Sequence, residues 1–484
     1  REVIGIVAPG VFTRSSGRHS LYLRFFHFSR LLQPLYFKAM SITIISGSVT
    51  SPKGFLGAGV FCDVKRMGTG KGSNKGRKLD LGVIYSKAPC AAAGMFTTNQ
   101  ICAAPVKVCV DHLKIGKSRA VVVNSGNANA CTGSKGREDA ESMCRQTAKH
   151  LGIKTSEVFV ASTGRIGLPL PMPNIRRGVE AACGQLTTES LGGDQLAEAI
   201  MTSDTHPKQY ALEVNLGGKK VTIGGVAKGA GMIQPGMSPT GNRPYSMPLH
   251  ATMLSFITTD AAISKPTLQR CLTEAVASTF NRITVDGDMS TNDTVLVLAN
   301  GLANNQTIRH TAKDAISKSS LTLFQQALNL VCFALAKMLV KDGEGVSRFV
   351  TVRVAGAKTN QQADAAVRSV ANSSLVKTSW LGGDPNWGRI IDALGYSDAT
   401  VEENKVDIGY SAAGSSKILY SLKAGKPTRV TFERLCRAVA DPEFDLHVNL
   451  NLGKGKAVMY ASDLTEEYVE FNKGDVTDPA SLGG

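Results

Sequence analysis

The first half of the chain alternates short apolar runs with amphipathic stretches, a pattern that predicts strands and helices in alternation. LDLGVIYS (79–86) and RAVVVNS (119–125) are short and continuously apolar, which is typical of buried strands. Residues 137–152 have the apolar spacing of an amphipathic helix, and Gly152 supplies a C-terminal stop. The alternation extends to about Gly224 and predicts a mixed fold of the α/β (α+β) class, in which helices pack against sheets.

The second half opens with LSFITTDAAI (254–263), which predicts a buried strand, and continues with a predicted helix at 267–280. A longer helix is predicted at 319–341. Residues 348–484 predict a smaller C-terminal α+β domain, because segments such as DLHVNLNLG (445–453) alternate apolar and polar positions with a period of two.

The composition is ordinary for a globular protein of two or three domains: 484 residues, 43% hydrophobic and 19% charged. The net charge of +16 is unusual and suits an acidic substrate, a nucleic acid or an anionic surface. Much of the charge is local, since 1–40 and 63–80 each hold six Lys and Arg. The second of these segments has no aromatic residue, so we expect no nucleic acid as partner. Polar residues within 321–340 favour a helix packed inside the protein over a membrane span, and we expect no membrane partner.

The sequence predicts no metal site. Its ten Cys form no C-x-x-C pair, which excludes the common structural zinc patterns and favours reduced thiols in an intracellular compartment. Asp286, Asp288 and Asp293 lack the spacing of a calcium loop, so a tight turn near the site is the better interpretation. The Gly- and Lys-rich segment 67–78 does not match a phosphate-binding loop and predicts a surface hairpin.

Residues 1–39 are basic and aromatic, with Glu2 as their single acid, and we exclude them from the fold. One interpretation is an organellar transit peptide, which would place the protein in the mitochondrial matrix or a plastid. The other is sequence upstream of a start at Met40, which would leave a cytoplasmic protein. The segment lacks a clean amphipathic helical period, and this favours the second interpretation.

Thr252 is a candidate nucleophile. A Thr hydroxyl reacts poorly at neutral pH without a base, and cutting the chain before the Thr would free an α-amine to act as one. The small residue Ala251 precedes it, and a Gly- and Pro-rich loop lies upstream. These features alone favour the simpler interpretation of a loop that enters a buried strand.

Two further segments are weak signals for chemistry when taken alone. In ASTGRIG (161–167), a Ser-Thr-Gly turn could present a hydroxyl and a backbone N–H to one point, as an oxyanion hole requires. Glu344 lies in a Gly-flanked loop after the long helix, where its carboxylate could hold a substrate ammonium group or simply face solvent.

Taken together, many segments in order resemble the self-cleaving ornithine acetyltransferase family, also called glutamate N-acetyltransferases, of arginine biosynthesis. The likeness runs from about Val49 to about Asn472. The segments are AAGMFTTN (92–99), NSGNANACTG (124–133), ASTGRIG (161–167), IMTSDTHPK (200–208), KGAGMIQP (228–235), ATML (251–254), FITTDAAIS (256–264), TVDGDMSTNDTV (284–295), LVKDGEG (339–345), VKTSWLGGDPNWGRI (376–390) and YVEFN (468–472).

The resemblance implies a layered αββα-type sandwich with a smaller C-terminal α+β domain. It also implies self-cleavage between Ala251 and Thr252, which divides the chain into an alpha segment, 40–251, and a beta segment, 252–484. Two of each would form a heterotetramer. Thr252 would then carry the acetyl group of N-acetylornithine to glutamate as an acyl-enzyme, with no metal or coenzyme. Members differ in whether acetyl-CoA also serves as an acetyl donor, and both versions stay open here.

The resemblance also implies roles for individual residues. Thr163 and Gly164 would stabilise the oxyanion. The substrate-binding set would be Thr202, Lys228, Thr252, Glu344, Asn472 and Thr477. Of these, Thr477 lies at the family's offset but in altered surroundings.

Residues 238–250 depart from the family, in which Ala-Thr follows almost directly after the position of Met237. We expect this Pro-containing insertion to bulge outward and to permit cleavage, because a longer loop adds little closure entropy.

Two alternatives to the acetyltransferase function are a self-cleaving aminopeptidase or amidase of similar architecture and an uncleaved, inactive relative. The aminopeptidase would lack the segments at 124–133 and 228–235.

Overall fold

The computed structural model describes residues 42–65, 78–242 and 253–473. The N-terminal extension 1–39, nearly all of the predicted hairpin at 67–78, and residues 243–250 of the insertion lie outside this part of the chain. So do three residues with expected roles, Ala251, Thr252 and Thr477.

The strands of the described part are distributed along its whole length. They are β1 (Ile42–Ile45), β2 (Phe55–Val60), β3 (Leu81–Thr97), β4 (Ser118–Asn127), β5 (Val158–Arg165), β6 (Lys208–Leu216), β7 (Lys219–Lys228), β8 (Met237–Ser238), β9 (Leu254–Thr259), β10 (Ile283–Thr284), β11 (Thr294–Ala299), β12 (Phe349–Ala357), β13 (Asp407–Ala412), β14 (Leu419–Lys423), β15 (Lys426–Pro427), β16 (Glu443–Asn449) and β17 (Gly455–Ser462).

The α-helices of the same residues lie between or after single strands or groups of strands. They are α1 (Ala104–Ile115), α2 (Gly133–Leu151), α3 (Met172–Gly184), α4 (Ser190–Ala199), α5 (Lys265–Ser278), α6 (Ala315–Lys341), α7 (Asn360–Asn372), α8 (Ser374–Leu381), α9 (Trp387–Gly395), α10 (Phe432–Ala438) and α11 (Glu466–Asn472). The predicted strands at 79–86 and 119–125 are confirmed. The helix predicted at 137–152 begins earlier, at Gly133, and ends as expected because Gly152 adopts φ +64°.

The long strand β3 connects two halves of the larger sheet. Its first part, Leu81–Tyr85, pairs with β2 and β4, and β5 adds to β4 in parallel. Its last part, Ala91–Phe96, pairs with β11, and β9, β7, β6 and β1 follow in that order. The register shifts between Tyr85 and Cys90, where the strand passes from one half to the other.

The two halves pack face to face between layers of helices. Leu254 and Phe256 of β9 belong to one apolar cluster with Val123 of β4 and residues of α1, α2 and α3. Ile257, which points to the other face of β9, belongs to a second cluster with Leu335 of α6 and residues of α5. All six residues of β9 are buried, because this strand has a core on both sides. The expected layered α/β architecture is therefore confirmed.

A smaller sheet follows in the order β10-β17-β12-β16-β13-β14-β15. A third apolar cluster, from Val350 to Ala461, fills the space between this sheet and helices such as α7. β10 connects the smaller sheet to the rest of the chain, since Ile283 pairs in parallel register with Tyr460.

Helix α6 has the length and apolar composition of a membrane span, which no other helix of the described residues combines. Many of its apolar side chains, such as those of Leu328, Val331 and Leu335, are fully buried in the second cluster. This burial agrees with the prediction of a helix packed inside the protein.

Candidate active site

Lys228, the last residue of β7, lies at the centre of the candidate site. β7 is antiparallel to β9, and Lys228 stands opposite Leu254, the first residue of β9. The buried ammonium group donates hydrogen bonds to Oγ1 of Thr163 at 3.1 Å and to Oγ1 of Thr202 at 2.7 Å. The sheet register thus places this lysine beside the residues that follow Thr252.

Thr163 and Gly164 belong to the end of strand β5, so the prediction of a Ser-Thr-Gly turn at 162–164 is wrong. The apolar run continues as a strand because β4 continues beside it, with Ser125 paired to Thr163 in parallel register. Gly164 has φ +122°, and a Cβ there would lie 2.5 Å from the carbonyl carbon of Gly126. Since the Thr163 hydroxyl accepts from Lys228, its own hydrogen is available to donate to a developing oxyanion.

Asp204 is a fully buried carboxylate in the loop after α4. Its Oδ1 accepts hydrogen bonds from Nζ of Lys208 at 2.5 Å and from the backbone N–H of Gly229 at 2.7 Å. Its Oδ2 accepts from the N–H of Thr202 at 3.0 Å and lies 4.0 Å from Nζ of Lys228. Burial alone would raise the pKa of Asp204, but the two lysines and the Gly229 N–H together hold it below its usual range. Asp204 is therefore ionised at neutral pH.

Lys208 extends this charged cluster to the end of α6. Its fully buried ammonium group also donates to the carboxylate of Asp342, the residue that follows α6. Asp342 in turn accepts hydrogen bonds from the N–H of Thr205 at 3.1 Å and from the Thr205 hydroxyl. These contacts fasten the loop that carries Thr202 to the C-terminal end of the long helix.

Opposing effects act on the protonation of Lys228. Burial is the largest, and it lowers the pKa of the Lys228 ammonium. Asp204, Glu344 and Asp293 raise this pKa, while Lys208 lowers it, and the net shift is downward. The carboxylates around Lys228 therefore support a positive charge that burial opposes.

Glu344 and Asn472 form a second group next to the first. Oε2 of Glu344 accepts a hydrogen bond from Nδ2 of Asn472 at 2.9 Å. The backbone N–H of Glu344 donates to the carbonyl oxygen of Ala230 at 3.0 Å. A Cβ at position 231 would lie 2.5 Å from the Glu344 carboxylate, so Gly231 permits this close approach. Glu344 thus contacts the chain at Ala230 and Gly231, directly after Lys228 and Gly229.

Asp293 holds the beginning of β9 in place. Its Oδ1 accepts a hydrogen bond from the backbone N–H of Met253, the residue after Thr252. Its Oδ2 is buried and has no hydrogen-bond partner among the described residues. Burial raises the pKa of this carboxyl well above its usual value. Residues 285–287 form a bend before this residue. The contact with Met253 is not among the sequence predictions.

The structure brings together six of the residues with expected roles. They fall into two groups: Thr163, Gly164, Thr202 and Lys228, then Glu344 and Asn472. The roles of all nine residues stay predictions, and Ala251, Thr252 and Thr477 lie outside the described part. No group of His, Cys, Asp and Glu within the described ranges could hold a metal ion.

Sequence reasoning missed the charged cluster of Asp204, Lys208 and Asp342. Asp204 and Lys208 lie in the segment 200–208, which was noted only for Thr202. Two opposite charges four residues apart were the available signal. Their third partner is 134 positions away from Lys208, and only folding brings it near.

Comparison with known proteins identifies the family. The model of the ArgJ family matches residues 65–475. The arginine biosynthesis bifunctional protein ArgJ of Symbiobacterium thermophilum is 44% identical over 88% of this chain and 98% of that protein. The ArgJ protein of Geobacter sulfurreducens is 43% identical over 87% of this chain and 98% of that protein.

Among solved structures, the ornithine acetyltransferase of Mycobacterium tuberculosis in complex with ornithine is 38% identical. The match covers 41% of this chain and 100% of that chain, with a TM-score of 0.37. The family match spans most of the residues that surround Lys228 and Glu344, and the identity to the two bacterial proteins extends over nearly their whole length. The chain therefore belongs to the ArgJ family.

Proposed function

We propose that this protein transfers the acetyl group of N-acetylornithine to glutamate in arginine biosynthesis, with Thr252 as the covalent carrier. The observation that carries the proposal is the position of Lys228, which joins the hydroxyls of Thr163 and Thr202 directly opposite the start of β9. Membership of the ArgJ family and the names of its relatives support the same reaction.

The first step of the proposal is self-cleavage. The Thr252 hydroxyl attacks the carbonyl carbon of Ala251, and the peptide bond is replaced by an ester. Water then hydrolyses this ester, which leaves a carboxylate on Ala251 and a free α-amine on Thr252. The Asp293 contact supports this step, because it restrains Met253 on the other side of the nucleophile.

The second step is acetyl transfer through an acyl-enzyme. The Thr252 α-amine takes the proton of its own hydroxyl, and the oxygen attacks the acetyl carbonyl of N-acetylornithine. The C–N bond breaks, and ornithine leaves with its amine protonated by the same group. The amine of glutamate then attacks the acetyl ester, which restores the Thr252 hydroxyl and releases N-acetylglutamate.

Thr163 and Gly164 serve both halves of this reaction as oxyanion donors. The Thr163 hydroxyl is oriented by Lys228, so its hydrogen can point away from the lysine toward the substrate. Removal of one such donor costs roughly 10²–10³ in turnover in acyl-transfer enzymes.

We assign Glu344 and Asn472 to the side-chain end of N-acetylornithine. The carboxylate of Glu344 binds the δ-ammonium group there, because the α-amine of this substrate is acetylated. Thr202 and Lys228 contact the substrate from the other side, and Thr477 is included only by its position in the sequence.

We further propose a heterotetramer of two alpha and two beta segments, in the cytoplasm when translation starts at Met40. Sedimentation of the purified protein measures the oligomeric state. Sequencing of the mature N-terminus from the native cell shows whether residues 1–39 are part of the protein or are removed as a transit peptide. An assay with acetyl-CoA in place of N-acetylornithine separates the bifunctional version from the monofunctional one.

Mass spectrometry of the purified protein and its Thr252→Ala and Thr252→Ser variants tests the proposal. We expect two fragments from the wild type, one beginning at Thr252, and a single intact chain from Thr252→Ala. Acetyl transfer from N-acetylornithine to glutamate should be lost in Thr252→Ala and partly kept in Thr252→Ser. An intact wild-type chain that still transfers acetyl would refute the mechanism.

A further inference from the structure

The buried charges around Lys228 form a closed ring of contacts. Starting at Thr202, the ring passes through Asp204, Lys208 and Asp342 to the loop that carries Glu344. It returns through the backbone bond from Glu344 to Ala230 and through the bond from Gly229 to Asp204. Lys228 precedes Gly229 in the chain and donates to Thr202, the residue at which the path began.

The ring differs from an ordinary surface ion pair because its charged side chains are buried. Two of its charged groups, Asp204 and Lys208, have fully buried side chains, and that of Asp342 is only 2% exposed. Buried ion pairs add little net stability, since their desolvation offsets their attraction, whereas they can enforce one geometry. Here the geometry they enforce is the placement of Lys228 relative to Glu344.

We propose that Asp204, Lys208 and Asp342 are positioning residues that keep the oxyanion side of the site, Lys228 with Thr202, at a fixed place relative to Glu344. Asp204 holds the first side through Thr202 and Gly229, and Asp342 holds the loop that leads to Glu344. Lys208 connects the two carboxylates. This inference rests on the proposed acetyl transfer, and the three residues act through Thr202, Gly229 and the loop that carries Glu344.

Asp204 has a second effect that a purely structural contact would lack. The charged groups that face Lys228 are Asp204, Lys208, Glu344 and Asp293, and Asp204 contributes most toward keeping it protonated. Removing the charge of Asp204 therefore lowers the pKa of Lys228 further. The basic limb of the pH–rate profile reports this change, because the protonated lysine is the form that donates to both Thr163 and Thr202.

The substitution Asp204→Asn tests the oxyanion side. Both carboxylate oxygens of Asp204 face donors or a cation, and an amide can offer its oxygen to only one side. We expect kcat to fall about 10- to 100-fold, as for loss of a charge-assisted hydrogen bond. We also expect the basic limb to move to lower pH. In Asp204→Glu the charge is kept but the reach is changed, so kcat should fall while the basic limb stays near that of the wild type.

The substitution Asp342→Asn tests the ammonium side, because it weakens the hold on the Glu344 loop and leaves the charge of Asp204 in place. We expect KM for N-acetylornithine to rise about tenfold, with a smaller shift of the basic limb than in Asp204→Asn. The matched control is Asp364→Asn. Asp364 also binds two cations, Arg282 and Arg368, and its pKa is also lowered, but it lies on α7 away from Lys228. This control should lower the melting temperature and leave kcat, KM and the pH profile unchanged.

Each outcome decides the proposal. It is overturned if Asp204→Asn keeps the wild-type kcat and basic limb, or if Asp342→Asn keeps the wild-type KM. If Asp204→Asn does not fold, Asp204→Glu and Asp342→Asn carry the same comparison. A wild-type protein that is cleaved at Thr252 but transfers no acetyl refutes the proposed function instead, and the positioning roles with it.

Discussion

The backbone N–H of Met253 donates a hydrogen bond to the buried carboxylate of Asp293, directly before β9. The carboxylate thereby connects the beginning of β9 to the beginning of β11, its parallel neighbour in the sheet. Because Met253 follows Thr252, this contact restrains the chain on the C-terminal side of the proposed cleavage point. It also leaves one carboxylate oxygen, Oδ2, without a hydrogen-bond partner among the described residues.

We predict that Asp293→Asn is more stable than the wild type at pH 8. Burial raises the folded-state pKa of Asp293, so the wild type loses stability as pH rises from the unfolded-state value near 3.8 through the folded-state value. An amide keeps an acceptor for Met253 without a charge to bury, and we expect a gain of about 1–3 kcal/mol. Denaturant unfolding at pH 4 and pH 8 measures this. The difference between the two proteins should shrink at pH 4, and a constant difference would contradict an ionised, buried Asp293.

We predict that the buried Lys377 makes the protein less stable below pH 8 than at pH 10. Burial lowers its pKa to about 8, although Asp286 and Asp463 oppose the shift. The folded state therefore binds fewer protons than the unfolded state between about pH 8 and 10.5, and stability rises with pH in this window. Comparing the melting temperature of the wild type with that of Lys377→Met isolates the effect. The wild type should gain relative to the variant as pH rises, and parallel curves would refute this.

We predict that Gly164→Ala abolishes acetyl transfer, whereas Gly116→Ala does not. Both glycines have positive φ, +122° at Gly164 and +106° at Gly116, so both substitutions strain the backbone by about 1–2 kcal/mol. Only at Gly164 would the new Cβ collide with a neighbouring strand, at Gly126, while no atom lies within 4 Å at Gly116. Melting temperature and kcat of the two variants separate backbone strain from the collision. Equal activity losses would show that the close approach to β4 is unimportant.

We predict that Lys228→Met lowers kcat/KM by about 100-fold, the scale expected for loss of a group that acts on the oxyanion. Methionine has a similar length but cannot orient the hydroxyls of Thr163 and Thr202. Lys219→Met is the matched control, since Lys219 begins the same strand and is exposed. Steady-state kinetics of both variants should show a loss only for Lys228→Met. If both variants match the wild type, Lys228 has no role in the reaction.

Local pattern predicted most of the elements because their residues carry the signal themselves. The runs at 79–86 and 119–125 are continuously apolar and became buried strands, and the period of 137–152 became the helix that ends at Gly152. Prediction failed at 162–164, where small residues indicated a turn. The partner strand β4 extends beside these residues, so their backbone groups are paired as a strand.

The sequence by itself determined the family, the order of the elements and six of the residues that meet in the described part of the site. These follow from motifs and periods that are local in the chain. Only the tertiary structure decided that Lys228 stands opposite Leu254, that Asp293 holds Met253, and that Asp204, Lys208 and Asp342 surround the site. The reason is physical: a buried charge needs an opposite charge or a hydrogen-bonding group in space, and sheet register and helix packing select that partner regardless of its distance along the chain.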